Sequence, residues 1–282
     1  MNCPSPSSSP SPTRRTHPMA TLCHWLLGVG LMCPLLLCSP SAQAQLNDAE
    51  AVNVSGLQRM LSQRIAKAYL MLGQDVRPEV AQTQLDDALA LFDSNLEQLD
   101  SYAPSAEIQH ALNQVRTIWH PYREQALQTP SKKHALSLLG RSDELLSACE
   151  HVVGLIEQHA NSHSAVLINI SGRQRMLSQR IAKLYLALSW RLNDDPLRVQ
   201  FQQAVSEFDK ALSQLQAAHE NTPQINAKLH KVAMQWRFSQ AGFRLSDEQR
   251  YVPVVIFTTS EQLLKKMHEI TGLYEHAMAS GT

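Results

Sequence analysis

Four arginines sit at matched places in a repeated stretch of this chain. Arg59 and Arg64 lie in Ser55-Gly56-Leu57-Gln58-Arg59-Met60-Leu61-Ser62-Gln63-Arg64-Ile65-Ala66-Lys67, and Arg175 and Arg180 lie in Ser171-Gly172-Arg173-Gln174-Arg175-Met176-Leu177-Ser178-Gln179-Arg180-Ile181-Ala182-Lys183, 116 residues later. A guanidinium offers a planar fork of donors that suits a small planar oxyanion. On a helix, Leu57, Leu61, Ile65, Ala68 and Leu72 form the core stripe. Arg64 falls on the edge of that stripe, beside Met60 and Met71, and is partly covered there. Arg59 falls on the far side, projecting from a strip of small residues, Ser55, Ser62 and Ala66. The second copy keeps the strip as Ser171, Arg175, Ser178 and Ala182, with Arg180 in the role of Arg64.

Two readings of these arginines stand side by side. In one, the strip lets another helix approach closely, and Arg59 and Arg175 present their forks in the crevice to an anion. In the other, both are solvated surface charges, while Arg64 and Arg180 snorkel along the core edge or pair with Asp93 and Asp209. The strip points outward from its own bundle, which favours a homodimer through it.

The repeat extends beyond the motif. Phe92, Asp93, Leu96 and Leu99 match Phe208, Asp209, Leu212 and Leu215; Ile108, Leu112, Val115 and Trp119 match Ile225, Leu229, Val232 and Trp236; Leu145, Leu146 and Gly154 match Leu263, Leu264 and Gly272. Apolar spacing of three and four predicts helices. Breaks near Arg77-Pro78, Tyr102-Ala103-Pro104 and Thr129-Pro130, and near Asp194-Asp195-Pro196, Thr222-Pro223 and Tyr251-Val252-Pro253, divide each half into four. Val252 to Thr259 is the only strand-like stretch. The fold expected is all-α: two tandem up-down-up-down four-helix bundles, residues 45–160 and 161–282. Helix four either runs on into helix five, stacking the bundles end to end, or breaks at a hinge at Asn161-Ser162-His163-Ser164.

Residues 1–44 read as a signal peptide. Arg14 and Arg15 precede an apolar run from Leu22 to Leu37, and Ala42-Gln43-Ala44 offers a cleavage site before Gln45. Met19 is an alternative start. Cys33 and Cys38 follow Met32 and Leu37, too bulky for a lipidation signal. Pro34 interrupts a run too short to span a bilayer, although an uncleaved membrane anchor is the alternative to a periplasmic protein. Loss of this segment takes only Arg14 and Arg15 from the 25 basic residues and none of the 25 acidic ones, so the charge stays near balance. That argues against nucleic acid as a partner. Cys149 is alone in the remaining chain and can form no internal disulfide.

Other chemistries find little support. There is no glycine-rich phosphate loop, nucleophile elbow or His-Glu-x-x-His, so no enzyme is expected, and Cys149 among Leu145, Leu146 and Val152 reads as a core residue. His159 with His163, and His110 with Gln114 or His120, are too few for a metal site, and no cofactor is expected.

At the motif the sequence resembles a known family. Ser-Gly-x-Gln-Arg-Met-Leu-Ser-Gln-Arg-Ile-Ala, at Ser55 to Ala66 and Ser171 to Ala182, looks like the signature helix of the PilJ N-terminal domain of type IV pilus chemotaxis transducers. It is also similar to the first sensor helix of NarX-type nitrate/nitrite kinases. The resemblance implies two tandem PilJ-type sensor domains with Gly56, Met60, Arg64, Gly172, Met176 and Arg180 as motif residues. In the nitrate sensors the arginine before the methionine holds the anion at a dimer interface between first helices. By position that residue is Arg59, and Arg175 in the second copy, with Ser55, Ser62, Ser171 and Ser178 beside them. The family's transmembrane helices and cytoplasmic signalling module have no counterpart in these 282 residues, so the resemblance implies a separate membrane receptor or kinase as partner. A helical scaffold that packs a partner's helix on the strip, without a small ligand, is the competing function.

Overall fold

The computed structural model describes residues 46–192, 194–247 and 250–280, which form part of one compact unit, 44–282. The segment 1–44, read as a signal peptide, lies outside the described residues. Eight helices are described: α1 Asp48–Gly73, α2 Pro78–Tyr102, α3 Ala106–Ala126, α4 Lys132–Ala160, α5 His163–Ser189, α6 Asp194–Ala217, α7 Pro223–Asp247 and α8 Pro253–Ser280. The chain is all-α, and the strand-like stretch after Val252 is the first turns of α8.

Local chemistry sets the helix starts. Asn47 and Glu50 make a reciprocal capping box on α1, and Ser105, Ser131 and Ser162 cap α3, α4 and α5 through their side chains. Proline opens α2, where its missing N–H costs nothing. The joint between the repeats takes the hinged form. Asn161 adopts a left-handed conformation at φ 43°, which ends α4, and Ser162 starts α5. The continuous helix is thereby ruled out, and so is end-to-end stacking.

The repeat is visible in three dimensions. Phe92 stacks on Trp119 with ring centroids 3.9 Å apart, and Phe208 stacks on Trp236 at 4.1 Å. Each indole N–H donates to the aspartate of its own half, Trp119 to Asp93 at 2.6 Å and Trp236 to Asp209 at 2.5 Å. Gln58 Nε2 donates to the Phe92 carbonyl at 3.1 Å, and Gln174 Nε2 to that of Phe208 at 2.9 Å. Asp93 and Asp209 are thus engaged by the tryptophans, and neither pairs with the motif arginines as one sequence reading had it.

The halves lie side by side. Arg59 contacts Asn169, Lys67 contacts Gln179, and Gln74 contacts Leu186 and Ser189, so contacts advance together along both helices and α1 runs parallel to α5. The small-residue strip is what packs. Each copy's outward face is covered by the other copy within one chain, which removes the strip's exposure as a reason to expect a homodimer or a scaffold's partner helix. Expressed alone, residues 45–160 are expected to stay helical, since α1–α4 carry a complete apolar stripe, but to self-associate through the uncovered face of α1. Sedimentation of this fragment should show a dimer; a stable monomer with full helicity would show that the α1–α5 contact adds little.

Candidate functional site

Polar and charged side chains line the α1–α5 interface at full burial. Arg59 is 1% exposed and Arg175 0%, so neither is a solvated surface charge. Arg59 Nη2 donates to the Asn169 carbonyl and Arg175 Nη2 to that of Asn53, both at 3.2 Å, an exchange that follows the twofold relation of the repeats. The absent side chain at Gly56 makes room for both. A Cβ there would stand 3.3 Å from Nη2 of each arginine, and one on Gly172 would stand 3.1 Å from Arg175 Nη2 and 3.4 Å from that of Arg59. The two guanidinium tips therefore converge on the same small space.

Their partners differ. Arg59 Nη1 donates to Glu150 Oε2 at 2.8 Å. Arg175 Nη1 meets His268 Nδ1 at 3.3 Å, a ring that burial and then the Arg175 charge hold below its usual pKa and so keep neutral. Nε of both arginines is buried without a hydrogen-bond partner among the described residues. Burial, then the Arg59 charge, pushes the Arg175 guanidinium down to about 9. It is still cationic at neutral pH, drawn on electrostatically by Glu275 but in no ion pair among the described residues. A buried cation that is only partly compensated is costly unless something negative joins it.

The serines of the strip behave differently from the expectation drawn from the family. Ser55, Ser62, Ser171 and Ser178 donate to the carbonyls of Val52, Arg59, Ile168 and Arg175, three residues back on their own helices. Those donors serve the helix, which lets the strip stay thin. Met60 and Met176 are buried at 5% and 2%. Arg64 and Arg180 sit at the core edge, as the helical wheel places them, with 17% and 22% side-chain exposure.

Sequence reasoning missed the second polar layer. Lys67 and Lys183 are fully buried. Lys67 Nζ donates to Gln179 at 2.8 Å and Glu261 at 2.6 Å, and Glu261 also pairs with Arg64 at 2.9 Å. In the other half Lys183 Nζ donates to Asp143 at 2.8 Å and Ser142 at 3.0 Å. Asp143 and Glu261 are repeat equivalents, as are Glu150 and His268, in the register that pairs Leu145 with Leu263. The signal was present: Gln63-Lys67 and Gln179-Lys183 recur on the same side of the helix as the strip.

Burial pushes Lys67 and Lys183 down to about 8, against the pull of Glu261 and Asp143. Folded-state values below the unfolded ones mean that the unfolded chain binds more protons, so stability rises with pH across the interval. The melting temperature is expected to climb from about pH 7.5 to about pH 9, before Cys149 and the buried tyrosines, whose acids burial holds up, work the other way. A flat or falling melting curve over that range, read by differential scanning fluorimetry, would contradict the buried placement of these cations.

The fold is a pair of helical bundles with cations buried between α1 and α5. Residues 41–144 and 159–253 match the PilJ family model, described as type IV pili methyl-accepting chemotaxis transducer N-term. The two matches cover more than half of the chain, which therefore belongs to this family, in two tandem copies. No curated protein and no solved structure matches it. Among the described residues no group of three or more His, Cys, Asp or Glu is placed to hold a metal ion, and no helix is long and apolar enough to cross a membrane.

Proposed function

We propose that this chain is an extracytoplasmic sensor domain that binds one small oxyanion, of nitrate or nitrite type, between its two repeats and reports occupancy to a separate membrane receptor or kinase. The observation that supports it is the convergence of Arg59 and Arg175 on one space, with both Nε–H groups unpaired and Arg175 in no ion pair among the described residues. An oxyanion there accepts charge-assisted hydrogen bonds from two forks and offsets the repulsion between them. A repeat fused within one chain gives both arginines without a second subunit. Export rests on the leader read from residues 1–44; sequencing the protein recovered from the periplasmic fraction is expected to give Gln45 first, and a membrane-bound protein retaining residues 22–37 would defeat it. Binding is tested by calorimetric titration with nitrate, nitrite and a wider anion panel, and a flat response to all of them would remove the proposal.

A further inference from the structure

The halves depart from one another around Arg59. Glu150 stands where the second half has His268, and Arg173 stands where the first has Leu57. These two replacements touch each other. Glu150 Oε2 accepts from Arg59 at 2.8 Å, while its Oε1 accepts from Arg173 Nη1 at 2.5 Å, and Arg173 Nη2 donates to Glu207 at 3.1 Å. Arg59 is fully buried, but Glu150 and Arg173 are 36% and 41% exposed in their side chains.

They face a crevice of about 750 Å³ bounded by α4, α5 and α6, whose walls include Asp143, Glu150, Arg173, Met176, Gln200 and Glu207. The same place in the other half is bridged by a carboxylate. There Glu261 on α8 binds Arg64 and Lys67 of α1 and accepts from Gln84 Nε2 of α2 at 3.0 Å. Asp143, one methylene shorter, holds Lys183 but comes only to 3.6 Å from Arg180. The Oε1 of Gln200 is buried and unpaired among the described residues, as is that of its repeat equivalent Gln84. The crevice is therefore lined by the Glu150 carboxylate, behind which Arg59 lies buried as its hydrogen-bond partner.

We propose that Glu150 is a built-in competitor for the anion, which yields Arg59 to the incoming oxyanion by moving wholly onto Arg173. This rests on the anion-binding reading above. An incoming monoanion and the carboxylate want the same Arg59 donor. Arg173 holds the other carboxylate oxygen already, so the displaced group keeps a cationic partner and is not left as a bare charge. Arg175, whose partner is a neutral imidazole, makes no such exchange and supplies the standing attraction. The affinity of the site is then set by the difference between two oxyanions for one fork, which keeps it weak enough for a sensor to follow changing concentrations.

The test is calorimetric titration of residues 45–282 with sodium nitrate and sodium nitrite, at fixed chloride, for the wild type, Glu150→Gln and Arg173→Leu. Glu150→Gln keeps the shape and removes the competing charge, and is expected to bind about tenfold tighter, the equivalent of one charge-assisted hydrogen bond. Arg173→Leu copies Leu57 and removes the place to which Glu150 withdraws, and is expected to bind more weakly. If the wild type binds and Glu150→Gln binds equally or less well, the competitor role is overturned while the arginine site stands. If neither binds any anion, the site reading fails and carries this with it. Should Glu150→Gln not fold, Arg173→Leu decides alone, and binding equal to or tighter than wild type overturns the proposal.

Discussion

Arg175→Met is expected to weaken anion binding about tenfold or more and to raise the melting temperature in the same variant. The methionine fills much of the volume of the guanidinium stem and brings no charge. Arg175 is buried with Arg59 beside it, and the pull of Glu275 offsets this only in part. Replacement of a poorly compensated buried charge by an apolar side chain of similar size is neutral to stabilising, here about 1 to 3 kcal/mol, or several degrees for a domain of this size. Binding loses the fork that has no internal competitor, a loss of about tenfold or more in affinity. A structural role alone predicts the opposite pairing. If the melting temperature falls by several degrees, Arg175 is there to hold the repeats together.

Glu261→Ala is expected to be the most destabilising single change in the interface. Glu261 neutralises Lys67, which is 0% exposed, and Arg64, and it accepts from Gln84, so three elements meet on one carboxylate. The salt bridges hold its own carboxyl below the usual range, even though burial pulls it up. Its removal strands a buried ammonium, at a cost of about 3 kcal/mol, reduced somewhat by the 24% exposure of the Glu261 side chain. The double variant Glu261→Ala with Lys67→Met should recover most of that loss, because the orphaned charge is then gone. Chemical denaturation of the two variants checks both statements, and a single variant within about 0.5 kcal/mol of wild type would contradict the buried pairing.

Much of this architecture is legible in the amino acids, and the part that is not has a physical reason. Periodicity at three and four and the six proline-marked breaks predict the eight helices because helix boundaries depend on local chemistry, such as Pro78 at the start of α2 and Ser162 at the start of α5. The wheel places Arg64 at the core edge and Arg59 on the opposite strip, and both positions hold. What covers the strip is a long-range matter. A face that points away from its own bundle looks the same in sequence whether water, a second chain or the second repeat covers it. Hence the expected surface charge at Arg59 and Arg175 gives way to complete burial. The family pattern pointed at the serines, but Ser62 and Ser178 donate to the carbonyls of the arginines' own residues, Arg59 and Arg175, at 2.7 Å. Glu150, His268, Asp143 and Glu261 lie far from the motif in sequence. Their part could be read only by aligning α4 with α8 and asking where the copies differ.

That difference bears on the central claim, that the two repeats together build a single anion site. The most direct measurement is the stoichiometry of nitrate and nitrite binding to residues 45–282 by isothermal titration calorimetry, with Arg59→Ala and Arg175→Ala beside the wild type. The account predicts one anion per chain, and a loss of about tenfold or more in affinity from either substitution alone, because both forks address the same space. Two anions per chain, or an unchanged affinity in the variant carrying both substitutions, would contradict it.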